Sequence, residues 1–156
     1  RYDQTPDHKA PGNIAMPFSV KFTARGHPNV KSTHKTTFMT TTEDELSTRG
    51  DCIIVVGAGM GLKDIPDEVK RLAREYDTRI TFRLTVDDLV FEAQGHGHPH
   101  LGYTDPIDMV ARRSSFTCGR TLMIGSDKTS VDIPEAVVDA LKNSDAVVKV
   151  EIVYEK

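Results

Sequence analysis

Three histidines stand at every second position of a short stretch that also contains glycine and proline. Side chains at alternate positions of an extended segment point to the same side, so His96, His98 and His100 can converge on one ligand. Neutral imidazoles placed in this way bind divalent metals such as Zn²⁺, and a carboxylate such as Asp51 or Asp105 would complete the shell. The alternative is a solvated loop in which the histidines only support turns.

A related motif, Gly26-His27-Pro28-Asn29, stands earlier in the chain. Its Gly-His pair matches Gly95-His96, and we therefore predict that His27 and His96 are pseudo-symmetric partners near one shared site. There His27, His96 and His98 would hold a metal or transfer protons. Asp51 would orient the two catalytic histidines, His27 and His96.

Basic residues concentrate between positions 112 and 128, together with hydroxyl side chains. Guanidinium and ammonium groups bind phosphate through charge-assisted hydrogen bonds, so this cluster predicts an anion pocket. The same cations would otherwise form a solvated face, or ion pairs with Glu43 and Asp44. The predicted substrate-binding residues are Arg112, Arg113, Arg120, Asp127 and Lys128, and Ser114 and Ser115 stand beside them.

The segment Gly57-Ala58-Gly59-Met60-Gly61 follows an apolar run and precedes a helix, an order typical of dinucleotide-binding turns. Its spacing is Gly-x-Gly-x-Gly rather than Gly-x-Gly-x-x-Gly, and the acidic first turn of the helix is poorly suited to a pyrophosphate. We therefore predict a flexible connection rather than a nucleotide-binding loop.

The elements that would position these residues follow from apolar periodicity. Phe18 to Arg25 alternates and predicts a half-buried strand, and the threonine-rich Val30 to Thr41 predicts a second strand that pairs back on it. The β-branched run Cys52 to Val56 is typical of a central strand. A helix is predicted to begin at Asp64, where a capping residue is followed by proline. The predicted buried face of this helix comprises Val69, Leu72, Ala73 and Tyr76.

The second half of the chain repeats this order, at an offset of 69 residues at the Gly-His pair and 68 from the following strand onward. Self-similarity of this kind indicates a tandem duplication of a β-β-β-α-β unit. The matching segments are 22–27 with 91–96, 52–57 with 120–125, and 64–69 with 132–137.

The composition limits the class of protein. The 156 residues fit one ordinary domain, which we place at 16–156 with repeats at about 17–85 and 86–154. Residues 1–15 lack apolar periodicity and are predicted to be a tail before the domain or a remnant of cloning. No apolar run is long enough to span a membrane, and the net charge of −3 argues against a surface devoted to nucleic acid. Two cysteines are too few for a disulfide scaffold, which predicts a cytoplasmic protein.

A set of short motifs resembles one known family. The motifs are Gly26-His27-Pro28-Asn29, His34-Lys35-Thr36-Thr37, Gly50-Asp51-Cys52-Ile53-Ile54, Gly95-His96-Gly97, Arg112 with Ser114, Arg120-Thr121-Leu122 and Asp127-Lys128. Together they are similar to an archaeal family of uncharacterised proteins, domain of unknown function 371, over Val20 to Leu141. The chain departs from the resemblance at Gly59-Met60-Gly61, where we expect a polar turn. The resemblance implies an archaeal cytoplasmic protein and brings no established activity.

The expected fold is α+β, with two pseudo-twofold repeats, a mixed sheet or partly closed barrel, and two helices packed outside it. Gly50-Asp51 is similar to a turn of duplicated cradle-loop barrels, and this resemblance implies such a barrel as the alternative fold. For function, the residues predict a small hydrolase acting on a phosphorylated or nucleic-acid substrate, with a divalent metal such as Zn²⁺ as its optional cofactor. The alternative is a non-catalytic module that binds a small ligand or RNA. The sequence predicts no membrane partner and leaves homo-oligomer formation open.

Overall fold

The computed structural model describes residues 2–3 and 17–156, so residues 1 and 4–15 of the predicted tail lie outside the described residues. The described residues form nine strands, two α-helices and two 3-10 helices. The strands are β1 (Tyr2–Asp3), β2 (Phe18–Arg25), β3 (Thr37–Thr41), β4 (Ile53–Val55), β5 (Arg79–Val86), β6 (Leu89–His96), β7 (Asp108–Arg112), β8 (Thr121–Met123) and β9 (Val147–Glu155). The α-helices are α1 (Asp67–Ala73) and α2 (Glu135–Leu141), preceded by 3-10 helices at Leu62–Asp64 and Ser130–Asp132.

Five strands form an antiparallel sheet, sheet A, in the order β1-β2-β9-β5-β6. The strand predicted at Phe18–Arg25 is confirmed as β2, and every second side chain along it is buried. This alternation places one face of the sheet on the core. Because β9 lies between β2 and β5, the last strand of the chain joins two strands of its first half.

Four strands form a smaller mixed sheet, sheet B, in the order β4-β3-β7-β8. β3 and β7 are antiparallel at its centre, and the two outer pairs are parallel. The predicted strand Val30 to Thr41 is therefore wrong in its length and in its partner. Ser32 has a left-handed φ of 55°, and the N–H groups of Thr33 and His34 donate to the carbonyl of Asp51, so the chain before Thr37 cannot extend the strand.

Two isolated antiparallel bridges, Arg25 with Val56 and His96 with Ile124, link the two sheets. The sheets do not close into a barrel, which corrects both the partly closed barrel and the cradle-loop-like alternative. The edge strands β4 and β8 have three residues each and are too short to continue a hydrogen-bonded ladder along β2 and β6. The fold is α+β, with two sheets packed on one core.

The core lies between the sheets and is closed by the helices. Phe38 of sheet B contacts Phe82 and Phe91 of sheet A edge to face, with ring centroids 4.8 and 5.7 Å apart. The helices add Val69, Leu72, Ala73, Val137 and Leu141 to the same apolar cluster. No described helix is long and apolar enough to cross a membrane.

Helix α1 begins near the predicted position but ends earlier than the predicted apolar face. Pro66 precedes its first residue, and the carboxylate of Asp64 accepts the N–H of Gly61. The predicted burial of Val69, Leu72 and Ala73 is confirmed. Tyr76 was expected on the same face, but the helix ends at Ala73 and Tyr76 is 60% exposed.

After β1, both halves of the chain show the same order of elements. At the Gly-His motif, however, the residues of the first half correspond to other residues of the second half than those predicted. The N–H of His27 donates to the carbonyl of Leu141 at the end of α2, and the N–H of His98 donates to the carbonyl of Ala73 at the end of α1. Asn29 and His100 then donate their N–H groups to the Nδ1 atoms of His27 and His98. His27 therefore corresponds to His98 rather than to His96.

Candidate functional site

A cleft of about 380 Å³ lies at the corner where β6 and β8 meet. His96, the last residue of β6, exchanges two backbone hydrogen bonds with Ile124, at 3.0 and 3.1 Å. This bridge brings the end of β6 beside the residues that follow β8. The cleft is lined by Tyr76, His96, His98, Arg113, Ser114, Ser115, Ile124 and Gly125.

The imidazole of His96 presents a free acceptor to this cleft. Its Nδ1 lies 3.0 Å from the carbonyl oxygen of Gly97, and because a carbonyl only accepts, Nδ1 must carry the proton. In the neutral ring, Nε2 is then an unprotonated acceptor. A Cβ atom on Gly125 would lie 2.9 Å from this Nε2, and Gly125 has a left-handed φ of 61°. Glycine at this position keeps the nitrogen accessible.

His98 has the opposite ring tautomer and orients Tyr76. Its Nδ1 accepts the N–H of His100 at 2.9 Å, so in the neutral ring the proton is on Nε2. Nε2 lies 3.0 Å from the hydroxyl oxygen of Tyr76 and donates to it. The hydroxyl proton of Tyr76 is therefore left to donate toward the cleft. Tyr76 was missed as a site residue because its spacing from Val69 and Leu72 placed it on the buried face of the predicted helix.

The segment after β7 supplies one cation and two hydroxyl groups. Arg113 donates from Nη2 to the carboxylate of Asp132 at 2.9 Å, and both side chains are substantially exposed. The guanidinium has five N–H donors in all, so one ion pair leaves donors for a ligand. The N–H of Gly125 donates to the carbonyl of Ser114, which holds this segment against the end of β8. Together with Ser115, these residues form the side of the cleft that offers cationic and hydroxyl hydrogen-bond donors.

A second cleft, of about 390 Å³, adjoins the first and shares Tyr76 and His96 with it. It contains cationic and anionic side chains in equal number, namely Arg79, Lys156, Asp77 and Glu155. The first cleft contains Arg113 and no carboxylate. An anion is therefore favoured in the first cleft, whereas the second suits a neutral polar group with both donors and acceptors.

The structure does not bring His27 to this corner. Its strand ends beside Val147 at one end of β9, whereas His96 lies level with Glu155 at the other end. A nine-residue strand spans about 27 Å, which is far too long for two ligands of one metal. Nδ1 of His27 accepts the N–H of Asn29, and its Nε2 lies 3.8 Å from Glu45.

The structure does not bring all of the residues predicted to hold a metal together. In the part of the chain that the structure describes, no group of three His, Cys, Asp or Glu side chains could hold a metal ion. Nδ1 of His27 and of His98 accepts a backbone N–H, which places the proton on the Nε2 that a metal would need. The carboxylate of Asp105 accepts two backbone N–H groups of its own turn. Asp51 meets His34 through its backbone carbonyl, not through its carboxylate.

The other predicted anion-binding residues separate from Arg113. Arg120 pairs with Asp108 at 3.3 Å, and Lys128 donates to the carbonyl of Glu92 at 2.8 Å. The carboxylate of Asp127 accepts the N–H of Gln94, so Asp127 and Lys128 both cap the outer edge of β6. Arg112 instead donates to Thr121 and Cys118 on the outer face of sheet B.

The two thiols lie in different electrostatic surroundings. Burial would raise the pKa of the Cys118 thiol, but hydrogen bonds from Thr121, the backbone at Arg120 and Arg112 outweigh it and lower the pKa. Burial raises the pKa of Cys52, and its hydrogen bond with Thr37 offsets only part of that effect. Cys118 is therefore a more acidic thiol than a simple core cysteine.

The glycine-containing segment before α1 offers no open anion cradle. The N–H groups of Gly57, Ala58 and Gly59 donate to backbone carbonyls of neighbouring segments at 2.8 to 2.9 Å. The N–H of Gly61 donates to Asp64. These amides already have partners within the protein, so they hold the edge of the sheets in place. They are not available to bind the pyrophosphate of a dinucleotide.

Comparison with known proteins identifies a family and a relative of this chain. The family described as domain of unknown function (DUF371) matches residues 22–155. The chain is similar to the uncharacterized protein MJ0206 of Methanocaldococcus jannaschii, with 39% identity over 127 residues. That alignment covers 81% of this chain and 92% of the relative.

Proposed function

Since the chain belongs to the domain of unknown function 371 family, whose description includes no activity, we propose a function from the cleft at His96: hydrolysis of a phosphorylated small molecule. The observation that carries the proposal is the convergence of the free Nε2 of His96 with Arg113, Ser114 and Ser115. A base, a cation and two hydroxyl donors are the groups that hydrolysis of a phosphate ester requires.

The proposed reaction uses each group at a stated atom. Arg113 and the serine hydroxyl groups donate to the phosphate oxygens and offset the charge that develops on them. Nε2 of His96 accepts a proton from water as the water oxygen attacks phosphorus. The bond from phosphorus to the ester oxygen breaks, and the leaving oxygen takes a proton from solvent. No step requires a metal.

A small molecule suits the cleft better than RNA does. Volumes of about 380 and 390 Å³ lie within the range of small-molecule sites, about 300 to 1,000 Å³. The cations that an RNA backbone would need are dispersed: Arg113 lies at the cleft, Arg120 pairs with Asp108, and Lys128 caps a strand edge.

The alternative function is a binding module for the same phosphate-bearing ligand, without catalysis. One observation favours it: Nδ1 of His96 donates to the neutral carbonyl of Gly97. A carboxylate in that place would stabilise the imidazolium that forms when His96 takes a proton, whereas a carbonyl does so less.

We also propose that the chain arose by tandem duplication and that the site formed in one repeat only. Support comes from paired left-handed residues, Gly57 with Gly125 at 59° and 61°, and Ser32 with Tyr103 at 55° and 53°. At the corner of the first half that corresponds to the cleft, Arg25 stands in the place of His96. Its guanidinium pairs with Asp44 at 2.5 Å, so this corner holds a paired cation in place of the imidazole.

The hydrolase proposal is tested by the release of inorganic phosphate from a panel of phosphate monoesters. His96→Asn keeps the polar shape but removes the proton acceptor, and we expect the rate constant kcat to fall about 10²- to 10⁴-fold. Arg113→Ala should raise KM, because it removes the cation that binds the phosphate. His27→Asn, at the opposite end of sheet A, is the matched control and should leave both constants unchanged.

An unchanged rate in His96→Asn would exclude His96 as the base. Binding of phosphate monoesters by the unmodified protein without turnover, weakened by Arg113→Ala, would instead establish the binding module.

A further inference from the structure

The ring of Tyr76 lies between the two clefts and has no part in the proposed hydrolysis. It lines both clefts and is 60% exposed. It is also held in place, because Nε2 of His98 donates to its hydroxyl at 3.0 Å and the two ring centroids lie 4.8 Å apart. An exposed ring that is already ordered loses little entropy when a flat group stacks on it.

We propose that the phosphorylated ligand is a nucleotide whose base stacks on Tyr76. The inference rests on the proposed phosphate site: the phosphate would lie at Arg113, and the base would extend over Tyr76 toward the second cleft. A purine or pyrimidine has a flat face for the ring and an edge with both hydrogen-bond donors and acceptors. Phosphorylated sugars and polyols have no flat face, so they would leave Tyr76 without a role.

The charged side chains of the second cleft can form hydrogen bonds with the edge of a nucleotide base. Arg79 and Lys156 are donors, and Asp77 and Glu155 are acceptors, so the cleft has both kinds of partner that a base edge requires. Lys156 also pairs with Glu75 and lies 3.8 Å from Asp77, which restrains its ammonium group at the rim. The two cations and two carboxylates of this cleft offset one another, so a neutral base is favoured there over a second phosphate.

The test compares the binding of adenosine 5′-monophosphate, ribose 5-phosphate and inorganic phosphate by isothermal titration calorimetry. In the unmodified protein we expect the nucleotide to bind roughly tenfold or more tightly than ribose 5-phosphate, as base stacking on an aromatic ring provides. Tyr76→Ala should abolish that preference, so that the nucleotide and ribose 5-phosphate bind equally. Tyr76→Phe keeps the stacking face and should retain the preference.

Phe116→Ala is the matched control, because Phe116 is 59% exposed but lines neither cleft. Equal binding of the nucleotide and ribose 5-phosphate by the unmodified protein would overturn the nucleotide assignment while leaving the phosphate site intact. Loss of binding of all three ligands in Arg113→Ala would confirm that site. Failure of the unmodified protein to bind any of them would overturn both proposals. An RNA oligonucleotide that bound far more tightly than the mononucleotide would overturn the small-molecule assignment.

Discussion

At the scale of single residues, the direction of one hydrogen bond distinguishes His96 from the neighbouring histidines. Nδ1 of His27, His34 and His98 accepts backbone N–H groups within the same turn. Nδ1 of His96 donates instead, which leaves Nε2 free. All four residues are histidines, so residue type alone does not reveal this difference. Only the position of the Gly97 carbonyl determines it.

Cys118 is expected to be alkylated at lower pH than Cys52. Hydrogen bonds from Thr121 and Arg112 lower the pKa of Cys118, whereas burial raises the pKa of Cys52. The thiolate is the reactive form, so the pH midpoint of iodoacetamide reaction, read by peptide mass spectrometry, should be lower for Cys118. Arg112→Ala should move that midpoint upward for Cys118 and leave Cys52 unchanged. Identical midpoints for the two thiols would refute the prediction.

Two buried tyrosines form a directed chain of hydrogen bonds. The hydroxyl of Tyr103 donates to the carbonyl of Leu122 at 2.7 Å, so its contact with Tyr154 at 3.0 Å must use the proton of Tyr154. Tyr103→Phe would leave the Tyr154 hydroxyl buried without an acceptor, at a cost of about 1 to 3 kcal/mol in the free energy of unfolding. Tyr154→Phe removes only the terminal donor and should cost about 1 kcal/mol or less. Urea unfolding at pH 7 measures both.

The same pair predicts a loss of stability in alkali. Burial raises the pKa of both hydroxyls, with Tyr154 adding to the effect at Tyr103. In the unfolded chain a tyrosine ionises near pH 10, so the stabilisation is fully present below that pH and falls as the pH rises further. The double variant with phenylalanine at both positions should lose less stability between pH 9 and pH 11. An equal loss would show that other groups dominate.

At the scale of elements, close backbone approach fixes where helices and loops meet. A Cβ atom on Gly97 would overlap the carbonyl oxygens of Ala73 and Glu75, at and just after the end of α1. The carbonyl of Ala73 also accepts the N–H of His98, the next residue along the chain. Gly26 meets the end of α2 in the same way, at Leu141 and Asn143. These contacts join segments that are far apart in the chain. The sequence therefore shows the glycines but not the helix ends that pack against them.

Gly97→Ala should therefore be strongly destabilising. The overlapping atoms belong to the backbone and cannot move aside as a side chain would, so we expect a loss of at least about 2 kcal/mol in the free energy of unfolding. Gly102→Ala is the matched control, since its Cβ would meet only Thr104 at an ordinary contact distance of 3.6 Å. Thermal unfolding of the two variants distinguishes them. A Tm for Gly97→Ala equal to that of Gly102→Ala would contradict the close approach.

At the scale of the whole molecule, each sheet is built from both halves of the chain. β9 separates β2 from β5 in sheet A, and β3 pairs with β7 at the centre of sheet B. The aromatic contacts of Phe38 also cross between the halves, because Phe91 comes from the second. Neither half of the chain therefore has its own core or a continuous sheet.

A fragment of residues 17–86 should not fold by itself. It contains β2 and β5 but lacks β9, and both strands would expose unpaired edges and their apolar face. We expect a far-UV circular dichroism spectrum without a cooperative thermal transition, in contrast to residues 17–156 under the same conditions. A monomeric fragment with a cooperative transition would contradict the interleaved arrangement.

The sequence alone determined those features that depend on near neighbours. Alternation in Phe18–Arg25 specified a strand with one buried face, the residues around Pro66 specified the start of α1, and the short motifs specified the family. The tertiary structure alone decided which strands pair and which predicted site residues meet. Thus His96 and Arg113 share a cleft with the unpredicted Tyr76, while His27 lies at the other end of sheet A. The physical reason is that strand pairing joins residues far apart in the chain, whereas sequence patterns record only the environment of each segment.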